Sequence, residues 1–185
     1  MRVISGSARG TTLFAPHGDK TRPTSDFVKE NLFNIIMDDV RNSNFLDLFA
    51  GSGAIGIEAL SRGASSVTFV DISQKCIDLI RRNLEKTRLK EKAIVIKNDV
   101  ASTLKKLGGQ QFDIIFLDPP YAENLAEKTL HQIYKQDILE NTGYIILEMD
   151  RSADTPNIDG LLVFKEKEYS NTKLIFIEKA QGEVI

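Results

Sequence analysis

The chain has 185 residues and a mass of 20.7 kDa, with 42% hydrophobic and 27% charged residues, which fits one domain with a sizeable core and excludes both a disordered chain and a membrane class. Lys and Arg number 24 against 26 Asp and Glu, a net charge of −2, so a globally basic nucleic-acid binder is excluded. Its longest apolar runs resemble Ile114 to Leu117, its start lacks a signal-peptide stretch, and its one cysteine, Cys76, allows neither an internal disulfide nor a zinc cluster; a cytoplasmic protein without structural metal is expected, with Cys76 packed in the core.

Charge is unevenly spread. Arg2, Arg9, Lys20 and Arg22 against Asp19 alone give residues 1–22 a net +3, leaving −5 for residues 23–185. Met1 to Ala15 reads as two short strands around Ser5-Gly6-Ser7, and Pro16 to Pro23 as a loop. The expected division is therefore a basic β-hairpin arm with its loop (1–22) and a body (23–185). Positive charge in the arm suits phosphate as well as it suits a plain solvated hairpin, and Arg22 at the junction suits phosphate or cofactor as well as it suits a plain surface position.

From Thr24-Ser25-Asp26 onward, Val28, Leu32, Ile35, Ile36 and Val40 recur at helical spacing. Strands are expected over 45–49, 66–71, 93–97, 112–117 and 143–149, alternating with helices over 55–62, after Ser73, over 101–107 and over 126–139. Apolar strands separated by helices imply a doubly wound, mostly parallel α/β sheet. The last two strands, 161–169 and 174–179, leave no room for a crossover helix, so a seven-stranded sheet should end in an antiparallel hairpin. No heptad seam is present, and a monomer is expected.

Gly51-Ser52-Gly53-Ala54-Ile55-Gly56 is a G-x-G-x-x-G between a strand and a helix, and Asp71 ends the next strand, where a carboxylate can bind a ribose. NAD and S-adenosylmethionine both satisfy this pattern. Asp47, ahead of the glycines in Asp47-Leu48-Phe49-Ala50, can meet the ammonium that only S-adenosylmethionine carries, or it can cap the glycine turn. Asn98-Asp99 can meet an adenine amino group, or act as a helix N-cap before Val100.

Asp118-Pro119-Pro120-Tyr121 follows the apolar strand 112–117. Paired prolines remove two N–H donors and leave carbonyls as acceptors. An exocyclic amine of a nucleobase is a poor nucleophile because its lone pair is delocalised; accepting its two N–H groups on the Asp118 carboxylate and a carbonyl localises that pair. Tyr121 can stack on the base, which must be unpaired or flipped to arrive there. Neither a metal nor a covalent intermediate is needed. Arg81, Arg82, Lys86, Arg88, Lys90 and Lys92 form a second basic cluster, read as a solvated helix face.

These residues resemble class I S-adenosylmethionine-dependent methyltransferases, and more narrowly the RsmD family of bacterial 16S ribosomal RNA (guanine-N2) methyltransferases. The likeness rests on Ile4 to Gly10 with Leu13, on Arg22-Pro23-Thr24-Ser25-Asp26 with Glu30 to Asn34, and on Leu46 to Gly53 with Gly56 to Ala64. It implies a Rossmann-like fold. It further implies that Asp47, Ala50, Gly51, Gly53, Asp71 and Asp99, with their neighbours Phe49, Ser52, Ile72, Asn98 and Val100 and with Asp118, surround the cofactor. Asp118, Pro119, Pro120 and Tyr121 would hold the guanine, and Arg2, Arg9, Lys20 and Arg22 would face RNA of the small ribosomal subunit. Ser5 stands where a second glycine is common, and Asp71 where Glu is frequent. Adenine-N6 methyltransferases share the proline motif, and nicotinamide oxidoreductases share the glycine loop but leave that motif unexplained. A non-catalytic RNA-binding module would use the arm and leave the pocket without a role.

Overall fold

The computed structural model describes residues 1–15, 26–120 and 124–180. In chain order the elements are α1 (Asp26–Ile35), α2 (Met37–Val40), β1 (Asn44–Leu48), α3 (Ala54–Ser61), β2 (Ser66–Asp71), α4 (Gln74–Thr87), β3 (Ala93–Lys97), α5 (Val100–Lys106), β4 (Phe112–Leu117), α6 (Leu125–Lys135), β5 (Leu139–Asp150), β6 (Leu161–Glu168) and β7 (Thr172–Lys179). The strands make one seven-stranded sheet in the order β3-β2-β1-β4-β5-β7-β6. β1 to β5 run parallel, and β7 lies antiparallel to both β5 and β6. The doubly wound sheet with an antiparallel end is the architecture expected from the sequence. Among the described residues no helix is long and apolar enough to cross a membrane.

Strand periodicity divides the core between two faces. Phe45, Phe69, Ile114, Phe116, Ile146 and Phe176 pack with α1 to α4 and the N-terminal segment, whereas Leu46, Leu48, Val70, Ile115, Leu117 and Ile145 pack with α5 and α6. Both faces are covered, so the central strands can be apolar throughout. Gly56, in the first turn of α3, makes this packing close. A Cβ on Gly56 would lie 2.3 Å from Phe69 Cε1 and 2.8 Å from Val67 Cγ1, both on fully buried side chains of β2.

Several elements depart from the sequence reading. The two expected N-terminal strands reduce to one antiparallel bridge, Arg2 with Thr12, held by backbone bonds from Leu13 to Met1, Val3 to Thr11 and Gly10 to Val3; between them, Ile4, Ser5, Ser7 and Ala8 turn their donors to the body. Ile4 and Ser5 N–H donate to Glu58 at 2.8 and 3.0 Å, and Ala8 N–H donates to Ser61 Oγ at 2.9 Å. The helix expected through Val40 breaks at Ile36, whose ψ is 16°, although Thr24 and Ser25 at its expected start lie outside the described residues. The helix expected to reach 139 ends at Lys135, since Asp137 takes a left-handed φ of 49° that terminates a helix, and Leu139 already begins β5. Ser73 occupies the N-cap of α4 without a side-chain cap bond; its N–H donates instead to Asp71 Oδ1.

Gly56→Ala sets a helix-propensity gain of roughly 1 kcal/mol against overpacking of buried aromatic and β-branched groups, about 1–3 kcal/mol. Overpacking should win because Phe69 has no exposed direction in which to move. The expected outcome is a lower urea midpoint with an unchanged slope.

Candidate active site

The chain visits β1, β2 and β3 moving outward on one side, then returns so that β4 pairs with the other side of β1. At such a reversal the loops leaving adjacent strands diverge and open a crevice at the carboxyl ends. Here the crevice is a cavity of about 1110 Å³, and its wall includes Asp47, Asp71, Asp99, Asp118 and Glu148 together with apolar Phe49, Ile55, Ile72, Val100 and Phe116.

The glycine loop is fixed from below and behind. Asp47, 1% exposed, accepts the Gly56 N–H on Oδ2 at 3.0 Å, so it caps the turn as anticipated, and it also lines the cavity. Burial holds its carboxyl well above the ordinary range, and the nearby Asp71 and Asp118 charges add to this. Asp71 accepts Gly51 N–H on one oxygen at 2.9 Å and Ser73 N–H on the other at 2.8 Å. Phe49 is left-handed at φ 59°, and Gly51 and Gly53 are left-handed at 56° and 77°. A left-handed Phe is uncommon, and such conformations persist where neighbours determine them; here Ala50 N–H is pinned to the Val70 carbonyl at 3.0 Å.

Asp99 caps α5, accepting Ser102 N–H at 2.8 Å, and this bond draws its carboxyl below the usual range. Asp118 has an accessible face on the cavity. Protein packed around its other sides pushes its carboxyl up to about 7, with the Glu148 charge adding to the effect. Pro119 and Pro120 share the wall.

Of the anticipated cofactor residues, Asp47, Phe49, Ala50, Gly51, Ser52, Asp71, Ile72, Asp99, Val100 and Asp118 line the cavity; Gly53 and Asn98 do not. Gly53 instead heads α3, where a Cβ would approach Ile80 at 3.1 Å. Asn98 gives its N–H to the Asp71 carbonyl. Arg2 and Arg9 are exposed on the N-terminal segment, whereas Lys20, Arg22 and Tyr121 lie outside the described residues. Cys76 is half-buried and lines the cavity rather than the core; burial pushes its thiol up.

Sequence reasoning missed the wall made by Glu148 and the turn Tyr169 to Thr172, and it missed Met1 and Val28. Tyr169 Oη is buried with no hydrogen-bond partner among the described residues, and burial beside Glu148 pushes its hydroxyl up. Asn83, fully buried in α4, was also missed. It accepts Phe14 N–H at 2.8 Å and donates to the carbonyls of Phe14 and Ser52 at 3.0 and 2.9 Å, tying the N-terminal segment to the glycine loop. Two members of the second basic cluster, Arg82 and Lys86, lie over the Phe14 ring at 4.2 and 4.6 Å.

The family model described as "Conserved hypothetical protein 95" matches residues 1–178. The chain is 42% identical to "Putative rRNA methyltransferase YlbH" of Bacillus subtilis over 98% of its own length and 100% of that protein. It is 36% identical to "Ribosomal RNA small subunit methyltransferase D" of Haemophilus influenzae over 90% of its length and 88% of that protein. Among solved structures, "Putative methyltransferase yhhF from Escherichia coli" superposes with a TM-score of 0.87 at 30% identity, covering 97% of each chain.

Folded protein keeps the Asp118 proton up to about pH 7, whereas the unfolded carboxyl loses it near its ordinary 3.8. Folded protein thus binds the extra proton between these values, and this group's contribution to stability falls as pH rises through that window. Asp118→Asn escapes the penalty. Its melting temperature should match that of the parent near pH 4 and exceed it at pH 8, a difference that scanning calorimetry of the ligand-free proteins would read.

Proposed function

The chain belongs to the conserved hypothetical protein 95 family, the RsmD family, and on that premise we propose that it transfers a methyl group from S-adenosylmethionine to the exocyclic N2 amine of a guanine in 16S ribosomal RNA of the small ribosomal subunit. It does so as a cytoplasmic monomer, with residues 1–22 as the RNA-facing arm and 23–185 as the transfer domain. The observation that carries this reading is that the glycine loop with Asp71 and the Asp118-Pro119-Pro120 turn border one cavity. Cofactor and acceptor can therefore meet there.

The donor set fits the cofactor. Its ammonium would sit against Asp47, whose ionisation burial opposes, and the cation would favour the charged form. Asp71, which accepts Gly51 and Ser73 N–H and meets the Cys76 thiol, keeps acceptor capacity for a ribose hydroxyl. Phe49, Ile72 and Val100 supply apolar surface for the adenine. When bound, S-adenosylmethionine supplies an activated methyl on a sulfonium that leaves as a neutral thioether.

The remaining chemistry belongs to the chain. Ionised Asp118 accepts one N–H of the guanine amine and a carbonyl of the Asp118-Pro119-Pro120 turn accepts the other, which localises the nitrogen lone pair toward the methyl. Neither proline carries an N–H to compete. As nitrogen becomes substituted, its surplus proton passes to Asp118 and on to water at the cavity mouth. Tyr121 stacks on the base, and Arg2, Arg9, Lys20 and Arg22 engage phosphates.

Transfer of labelled methyl to undermethylated small subunits and to protein-free 16S RNA, followed by nucleoside analysis, should yield N2-methylguanosine. Asp118→Ala should lower turnover by about a hundredfold or more, the loss typical when a preorganised electrostatic partner is removed, while S-adenosylmethionine affinity stays within a few-fold. N6-methyladenosine as product would replace the guanine assignment, and an active Asp118→Ala enzyme would refute the role of that carboxylate.

A further inference from the structure

A second groove, of about 600 Å³, runs beside the cavity between α1 and the β6–β7 turn and is lined by Phe27, Asn31, Arg151 and Lys167. Val28, Tyr169 and Ser170 line both spaces, so the groove opens directly onto the wall that faces Asp118 and Glu148. Phe27 stands in the first turn of α1 with 65% of its surface exposed. It is held edge-on against Tyr169, ring centroids 6.1 Å apart and planes at 89°. An isolated exposed apolar side chain needs no explanation. This one is braced by a second aromatic at the mouth of the site, beside Lys167 and the Arg151–Glu168 pair. Arg151 is paired with Glu168 at 2.9 Å, whereas Lys167 is exposed with no ion-pair partner among the described residues.

Resting on the reading given under Proposed function, we propose that this groove seats the RNA nucleotide next to the target guanine, its base stacked on Phe27 and its phosphate against Lys167. A base drawn into the cavity leaves its neighbour unstacked. A fixed aromatic face at the mouth takes up that neighbour, and the cation takes up the charge of the connecting phosphate. Phe27 is a positioning residue; it does not touch the reacting atoms.

The test uses the full chain and undermethylated small subunits. Phe27→Ala should raise KM for the subunit about tenfold, within the range for loss of one base–aromatic stack, with kcat within twofold and S-adenosylmethionine affinity unchanged. Phe27→Trp should restore KM and Phe27→Leu should not, because stacking needs a π face. The chain contains no tryptophan, so Phe27→Trp also provides a single reporter whose fluorescence the subunit should quench and S-adenosylmethionine alone should not. Lys167→Ala should flatten the dependence of log KM on log salt by about one unit.

An unchanged KM in Phe27→Ala, full rescue by Phe27→Leu, or indole fluorescence that the subunit leaves unquenched in an active Phe27→Trp enzyme would overturn the groove assignment. Absence of methyl transfer to any RNA by the parent chain would overturn the reading on which it rests.

Discussion

Glu58, wholly buried in α3, draws three separate parts of the chain together. It accepts the N–H groups of Ile4 and Ser5 and the Arg62 Nε, and it lies 3.7 Å from the equally buried Lys29 Nζ of α1. Lys29 in turn donates to the Arg2 carbonyl and pairs with Asp26 at 3.7 Å. Burial pulls the lysine below its ordinary range while both carboxylates oppose that pull. A buried charge is tolerable only when paired and hydrogen-bonded, and this network meets the condition only if the N-terminal segment, α1 and α3 adopt one mutual arrangement. Met1 and Val28 reach the cavity wall because those segments are held there.

The sheet supplies the other half of the site. Pairing β1 with β4 brings the Asp47 and Asp118 strand ends side by side, and pairing β4 with β5 adds Glu148. These carboxylates lie near or beyond the carboxyl ends, and backbone N–H groups orient three of them: Gly56 for Asp47, Gly51 and Ser73 for Asp71, Ser102 for Asp99. The gathering of these carboxyl groups around one cavity is therefore a product of topology.

What could be read from the sequence follows from how local its cause is. The parallel strands declare themselves through alternating apolar residues such as Phe45 and Leu46, and Asp71 and Asp99 stand at strand ends that periodicity locates. Gly53 and Asn98 belong to the right motifs, but a positive φ and a backbone bond account for their places, and motif membership alone cannot separate these from cavity contact. Asp137 ends α6 through a backbone angle that no apolar pattern encodes. Glu148, Tyr169 and Asn83 are brought to the site by contacts between elements distant in sequence, so no spacing rule could have found them. The N-terminal strands stop at a short bridge for the same reason, since Glu58 and Ser61 take the donors of Ile4, Ser5, Ser7 and Ala8.

The placement of β7 between β5 and β6 has a consequence for how the molecule comes into being. β5 and β6 emerge from the ribosome first and have no direct pairing with each other; both wait for β7, the last of the seven strands, to be inserted between them. β7 meets β6 across a short turn, but it meets β5 only across the whole of β6, and the longer closure must be ordered before its pairing is rewarded. The turn Tyr169 to Thr172 leads into β7, so one wall of the cavity is finished only when that strand docks. A nascent chain can thus build its glycine loop early and still be unable to close the cavity until β7 has been made.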